Sequence, residues 1–174
     1  IIAVLRNAIA NNYDGFTVHY QPIADCRSEQ IIGAEALMRF SMMTENGREI
    51  ISPVEFIPLL EETGLIIPAG RYILNKAAEM CSEMQQYIPE FRMNVNVSYV
   101  QILQGNVAQD ILDAIQKYAL KPEWIYVEMT ESGFMDMTPA FCKFRRILDE
   151  NRIPFVIDDF GTGYSNLHCI RDMN

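Results

Sequence analysis

Apolar residues along this chain follow two periods in turn, and the switches between them mark out its elements. Ile2, Leu5 and Ile9 fall at helical spacing, so a short amphipathic helix leads in. Two apolar runs follow, residues 16–23 (FTVHYQPI) and 31–40 (IIGAEALMRF), joined by the polar stretch ADCRSEQ; together they read as an antiparallel hairpin. In SPVEFIPLLEETG, Ser52 is placed to cap a helix, Pro53 to occupy its first position, Glu55 to complete a capping box and Gly64 to end it. A second helix is expected from about residue 69 to 87, with Ile73, Ala77, Met80, Cys81 and Met84 on one face. At Phe91 the pattern turns to strand (FRMNVNV), and Ser98 with Gln101 offers another capping box before a helix carrying Ile111, Leu112, Ile115 and Tyr118. A strand over 124–129, a helix from near Thr138 with Phe141, Phe144 and Leu148 inward, and a strand over 154–158 complete the pattern. The order β-β-α-α-β-α-β-α-β predicts an α/β fold with five strands, parallel after the opening hairpin.

Composition bounds what such a fold can do. The 174 residues, 49% of them hydrophobic, suffice for one domain with an ordinary core. A closed eight-stranded barrel takes at least about 200 residues, so this chain is not expected to close one alone. No apolar run approaches the ~20 residues of a membrane span, and the start lacks the features of a secretory signal. Because the first residue is Ile1, the chain is expected to be a piece of a longer protein. Cys26, Cys81, Cys142 and Cys169 form no close pair, which argues against a zinc or redox motif and for thiols in a reducing compartment. With 23 acidic against 14 basic residues the net charge is -9, which disfavours DNA, RNA or an anionic membrane as partner. An anionic small molecule stays open, provided that metal ions reverse the local field.

The candidate oxygen donors, four acids and one amide, are not scattered. Glu35, Asn96, Glu128 and the adjacent pair Asp158 and Asp159 fall where successive strands should end, at intervals of 61, 32 and 30 positions. The last two intervals match one βα unit of about 30 residues. One strand-end carboxylate alone reads best as a cap or surface ion pair; four carboxylates and an amide at consecutive strand ends read as oxygen ligands for a hard divalent ion such as Mg²⁺ or Mn²⁺. Arg39 shares a strand face with Glu35 and Leu37 because side chains alternate, although by itself it would read as a strand-to-helix salt bridge. The two glycines of DFGTGYS, residues 159–165, suit a sharply bent loop after the last strand. His19 and His168 are too few to suggest nucleophilic chemistry, and the ten methionines read as core filling.

The segments YQPI, GAEALMRF, SPVEFIPLLEETGLI, MNVNVS, VEMTES and IDDFGTGYSNL resemble, in order and spacing, the motifs of the EAL domain, named for the triplet seen here as Glu35-Ala36-Leu37. The resemblance implies an incomplete TIM-like (β/α) barrel starting with an antiparallel strand, residues 1–174 forming its N-terminal portion. It implies hydrolysis of the bacterial messenger cyclic di-GMP to linear pGpG with Mg²⁺ or Mn²⁺. Glu35, Asn96, Glu128 and Asp158 would ligate metal, and Asp159 would serve a second ion. Leu37 and Arg39 would meet the substrate, Arg39 at a phosphate. Gln21 matches a position near the ligand, with a buried hairpin amide as the alternative; Glu131 would hold the glycine loop in place. The family's later motifs, with a catalytic Lys followed by Asp, a glutamate-rich segment and a closing Gln-Gly, lie beyond Asn174, so turnover by this chain itself stays open. A receptor that binds cyclic di-GMP without hydrolysing it is the rival reading, and an enolate-stabilising barrel enzyme a remote third. The location implied is cytoplasmic, in a parent with GGDEF or sensory domains that is membrane-tethered in some architectures. The open sheet edge is expected to be covered by a second copy, as a homodimer or strand-exchanged assembly.

Overall fold

Parity within the strands sets the layers. The computed structural model describes residues 1–130 and 138–158. Its elements run α1 (Ile2–Ala10), β1 (Phe16–Ala24), β2 (Ile31–Thr44), β3 (Gly47–Ile51), α2 (Pro53–Glu62), α3 (Ile66–Met84), β4 (Arg92–Asn96), α4 (Tyr99–Gln104), α5 (Val107–Lys117), β5 (Ile125–Thr130), α6 (Pro139–Glu150) and β6 (Phe155–Asp158). They form an α/β fold around one open sheet in the order β1-β2-β4-β5-β6. β1 runs antiparallel to β2, whereas β2, β4, β5 and β6 are parallel neighbours. Ala34, Ala36, Met93, Val95, Ile125, Val127 and Met129 face the helical layer and are buried with Leu74, Ala77, Ile111, Phe141 and Leu148. The opposite face carries the polar residues of the same strands, as alternation requires.

A second core docks the chain's start onto the hairpin. Leu5 of α1, Phe16, Phe40, Ile51, and Phe56 and Leu60 of α2 are buried together. Phe40 lies between Phe16 and Phe56, with centroid separations of 4.7 and 5.8 Å. Tyr20 ties β1 to α3 by donating its hydroxyl to the Lys76 carbonyl at 3.0 Å. Burial, reinforced by the charges of Glu79 and Glu83, raises its pKa from 10.0 to about 12. Between those values the folded state keeps a proton that the unfolded state has released, so stability falls as pH rises through this window. Absorbance titration at 295 nm is expected to show a late-ionising tyrosine, and Tyr20→Phe to remove that phase; an unchanged profile would count against the assignment.

Several expectations needed correction. There are six strands among the described residues and not five, because β2 continues to Thr44 and turns back through Glu45 and Asn46 into β3. Gly47 takes φ +107°, a conformation that favours glycine. The box expected at Ser52 and Glu55 does not form: Ser52 makes no side-chain cap, and the Glu55 amide bonds the Ser52 carbonyl. α3 starts at Ile66, earlier than expected, because Pro68 sits in its first turn, where no intrahelical donor is needed. The box at Ser98 and Gln101 is present but opens the short α4; α5 is separate, with Gly105 and Asn106 between them. Trp124 belongs to a 3₁₀ turn ahead of β5.

Candidate metal and ligand site

The parallel register builds one polar surface from four strands. Glu35 lies beside Asn94, Asn96 beside Glu128, and Thr130 beside Asp158. Parity therefore puts Glu35, Asn94, Asn96, Glu128 and Asp158 on one face, away from the helices. Asn96 donates from Nδ2 to Glu35 Oε1 at 2.7 Å, and Asn94 donates from Nδ2 to Glu128 Oε1 at 2.6 Å. Two amides on β4 thus stand between the acids of β2 and β5. At the other end of the β2–β4 pairing Gly33 permits the close approach of the strands: a Cβ there would meet the Arg92 carbonyl oxygen at 2.5 Å. The Arg92 guanidinium crosses to the Tyr126 ring, 5.0 Å from its centroid.

Electrostatics on this face favour a cation. Burial pushes the Glu128 carboxyl above its ordinary range, and the Glu35 and Asp158 carboxylates push the same way, opposed by the bond from Asn94. A divalent ion would reverse that balance. The donors are carboxylate and amide oxygens, the set that suits Mg²⁺ or Mn²⁺, and the Asn96 bond uses nitrogen, leaving its oxygen to act as a ligand. Among the described residues no three of His, Cys, Asp and Glu lie close enough together to hold an ion. The structure joins Glu35 with Asn96 directly, places Glu128 one strand on, and brings Asp158 near Glu128 as a charge. Asp159, Glu131 and the glycine loop lie outside the described residues.

Gln21 stands directly opposite Glu35 in the β1–β2 register. It is exposed, which removes the buried-amide alternative. Arg39 is half-buried and donates from Nη1 to the Met38 carbonyl at 2.9 Å; among the described residues it has no carboxylate partner, so the salt-bridge alternative is not seen either. Glu35, Leu37, Arg39 and Asn96 line a cavity of about 340 Å³, together with Glu61 and Ser98.

The turn after Asn96 is fixed by residues that the sequence reading did not assign to the site. Ser98 Oγ donates to Glu61 Oε1 at 2.5 Å, and Gln101 Oε1 accepts the Ser98 amide at 2.9 Å. Gln101 is buried against Gly70, where a Cβ would lie 2.2 Å from its Nε2. The Val97 amide bonds the Glu128 carbonyl at 2.8 Å. Asn94, also unassigned, was findable from its parity with Asn96 in MNVNVS; Glu61 was not, because nothing local links it to a turn 37 residues on.

Comparison with known proteins adds identity to this geometry. The family model described as EAL domain matches residues 2–174. The chain is 38% identical over 169 residues to the signaling protein YkoW of Bacillus subtilis, covering 97% of this chain and 20% of that protein. It is 32% identical to the probable cyclic di-GMP phosphodiesterase PdeB of Escherichia coli, covering 98% of this chain and 32% of the relative. It thus spans about a fifth to a third of these relatives' length. Among solved structures it resembles the PaMucR phosphodiesterase in complex with c-di-GMP, with TM-score 0.76 and 30% identity over 91% of this chain and 66% of that one. The cAMP-bound EAL enzyme Bd1971 matches with TM-score 0.81 and 28% identity, over 98% of this chain and 48% of the other.

Proposed function

Because the chain belongs to the EAL domain family, we propose that the protein carrying it hydrolyses cyclic di-GMP to the linear dinucleotide with Mg²⁺ or Mn²⁺, on the cytoplasmic side. The observation that carries this reading is the shared face of Glu35, Asn96, Glu128 and Asp158 on four neighbouring parallel strands, beside the cavity that Arg39 lines. The names of PdeB and PaMucR support the choice of substrate.

Each residue's role follows from its chemistry. Glu35, Asn96, Glu128 and Asp158 would hold the cation, and Asp159 would add a carboxylate for a second one. When bound, divalent ions supply an activated water and stabilise the oxygens of an in-line displacement. Water adds to phosphorus, the bond from phosphorus to the ribose 3′ oxygen breaks, and a proton ends on that leaving oxygen. Arg39, without a carboxylate among the described residues, offers its planar donors to a phosphate. Leu37 supplies apolar contact in the same cavity, and Gln21 faces the ligand from the neighbouring strand.

Incubation of the full-length protein with cyclic di-GMP and Mn²⁺ is expected to yield the linear product, and chelation to stop it. Tight binding that survives chelation and gives no product would overturn this reading in favour of a receptor.

A further inference from the structure

Asn94 has features that a purely architectural residue would lack. The residue is only 9% exposed, and its Oδ1 is buried with no hydrogen-bond partner among the described residues. A buried acceptor left unpaired costs about 1–3 kcal/mol, and an apolar side chain at this strand position would avoid that cost. The other end of the amide is engaged. Nδ2 makes the 2.6 Å bond to Glu128 Oε1, which is the one hydrogen bond to that carboxylate among the described residues. Asn94 is also the register partner of Glu35. It therefore occupies the rung below Asn96, between the two acids, and mirrors it: Asn96 bonds the acid on β2, and Asn94 the acid on β5.

We infer that Asn94 is a positioning residue for the metal centre: it holds the Glu128 carboxylate, and so pre-sets the β5 side of the cation site. The inference rests on the metal-dependent reading above. Groups that orient a ligand from behind in this way typically account for 10–100-fold in metal affinity. Turning the amide over would set Oδ1 against Glu128 Oε1, so the observed orientation is the one that suits an ionised carboxylate.

The test is titration of the full-length protein with Mn²⁺ alone, by electron paramagnetic resonance or calorimetry, for wild type, Asn94→Val and Asn94→Ser. Each is also melted in EDTA. Both variants are expected to bind Mn²⁺ about 10–100-fold more weakly, while their melting temperatures in EDTA stay near wild type because removal of the unpaired Oδ1 offsets loss of the bond to Glu128. Unchanged Mn²⁺ affinity in a folded variant would overturn the inference and leave the phosphodiesterase reading intact. Affinity lost only in step with melting temperature, in both variants, would also overturn it by showing a structural role. No Mn²⁺ binding by wild type would instead sink the metal-dependent reading, and this inference with it.

Discussion

Glu128→Gln in the full-length protein is expected to lower cyclic di-GMP hydrolysis by about 10³-fold or more, equivalent to about 4 kcal/mol of lost transition-state stabilisation, without loss of the fold. Glutamine is nearly isosteric and keeps an oxygen for the 2.6 Å bond from Asn94. What it removes is charge, at a position only 8% exposed, on the strand between those of Asn96 and Asp158. Under the proposed function that charge holds the cation, and an amide oxygen is a far weaker ligand for a hard ion. Stability of the metal-free protein should move the other way. Burial and the neighbouring carboxylates disfavour ionised Glu128, so a neutral side chain there should melt at the same or a higher temperature. Paired measurements of kcat/KM and of Tm in EDTA check this. Loss of activity accompanied by a large fall in Tm would point to a structural role and count against the assignment.

The opposed signs of those two effects bear on what the sequence could reveal. Strand parity is a local property, so the common face of Glu35, Asn96, Glu128 and Asp158 was legible from alternation and from intervals that match βα units. The capping box at Ser98 and Gln101 was legible for the same reason, since both its bonds close within four residues. The Ser52 box was misread because the chemistry that permits a cap does not compel one: Pro53 already starts the helix with a fixed φ, and Ser52 makes no side-chain bond. β3 was missed because GREII is short and half polar, and its place depends on pairing with the far half of β2. Cross-strand partners were least accessible. That Asn94 bonds Glu128 and not Glu35, or that Glu61 reaches Ser98, depends on side-chain reach across elements, which periodicity does not encode.

Phe56→Ala is expected to cost about 3–5 kcal/mol, a large part of the ~5–15 kcal/mol by which a domain is stable. Phe56 is fully buried in α2 and meets Phe40 at 5.8 Å and Phe16 edge-on at 6.4 Å. Removing its ring leaves a cavity between α2 and the β1–β2 hairpin that Leu5, Leu60 and Ile51 close only by shifting. Phe56→Leu, which keeps most of the volume, should cost clearly less. Val54→Ala, two residues away and 83% exposed, should be close to neutral. The consequence reaches the site because α2 also carries Glu61, whose carboxylate accepts the Ser98 hydroxyl just after Asn96. Loosening α2 therefore frees the turn that orients Asn96. Chemical denaturation of the three variants is expected to rank them Phe56→Ala, Phe56→Leu, Val54→Ala in order of destabilisation, with weaker Mn²⁺ binding in the first even where it remains folded. A Phe56→Ala midpoint equal to that of Val54→Ala would show that this aromatic cluster does not anchor α2, and would remove the packing basis for the link from Glu61 to Asn96.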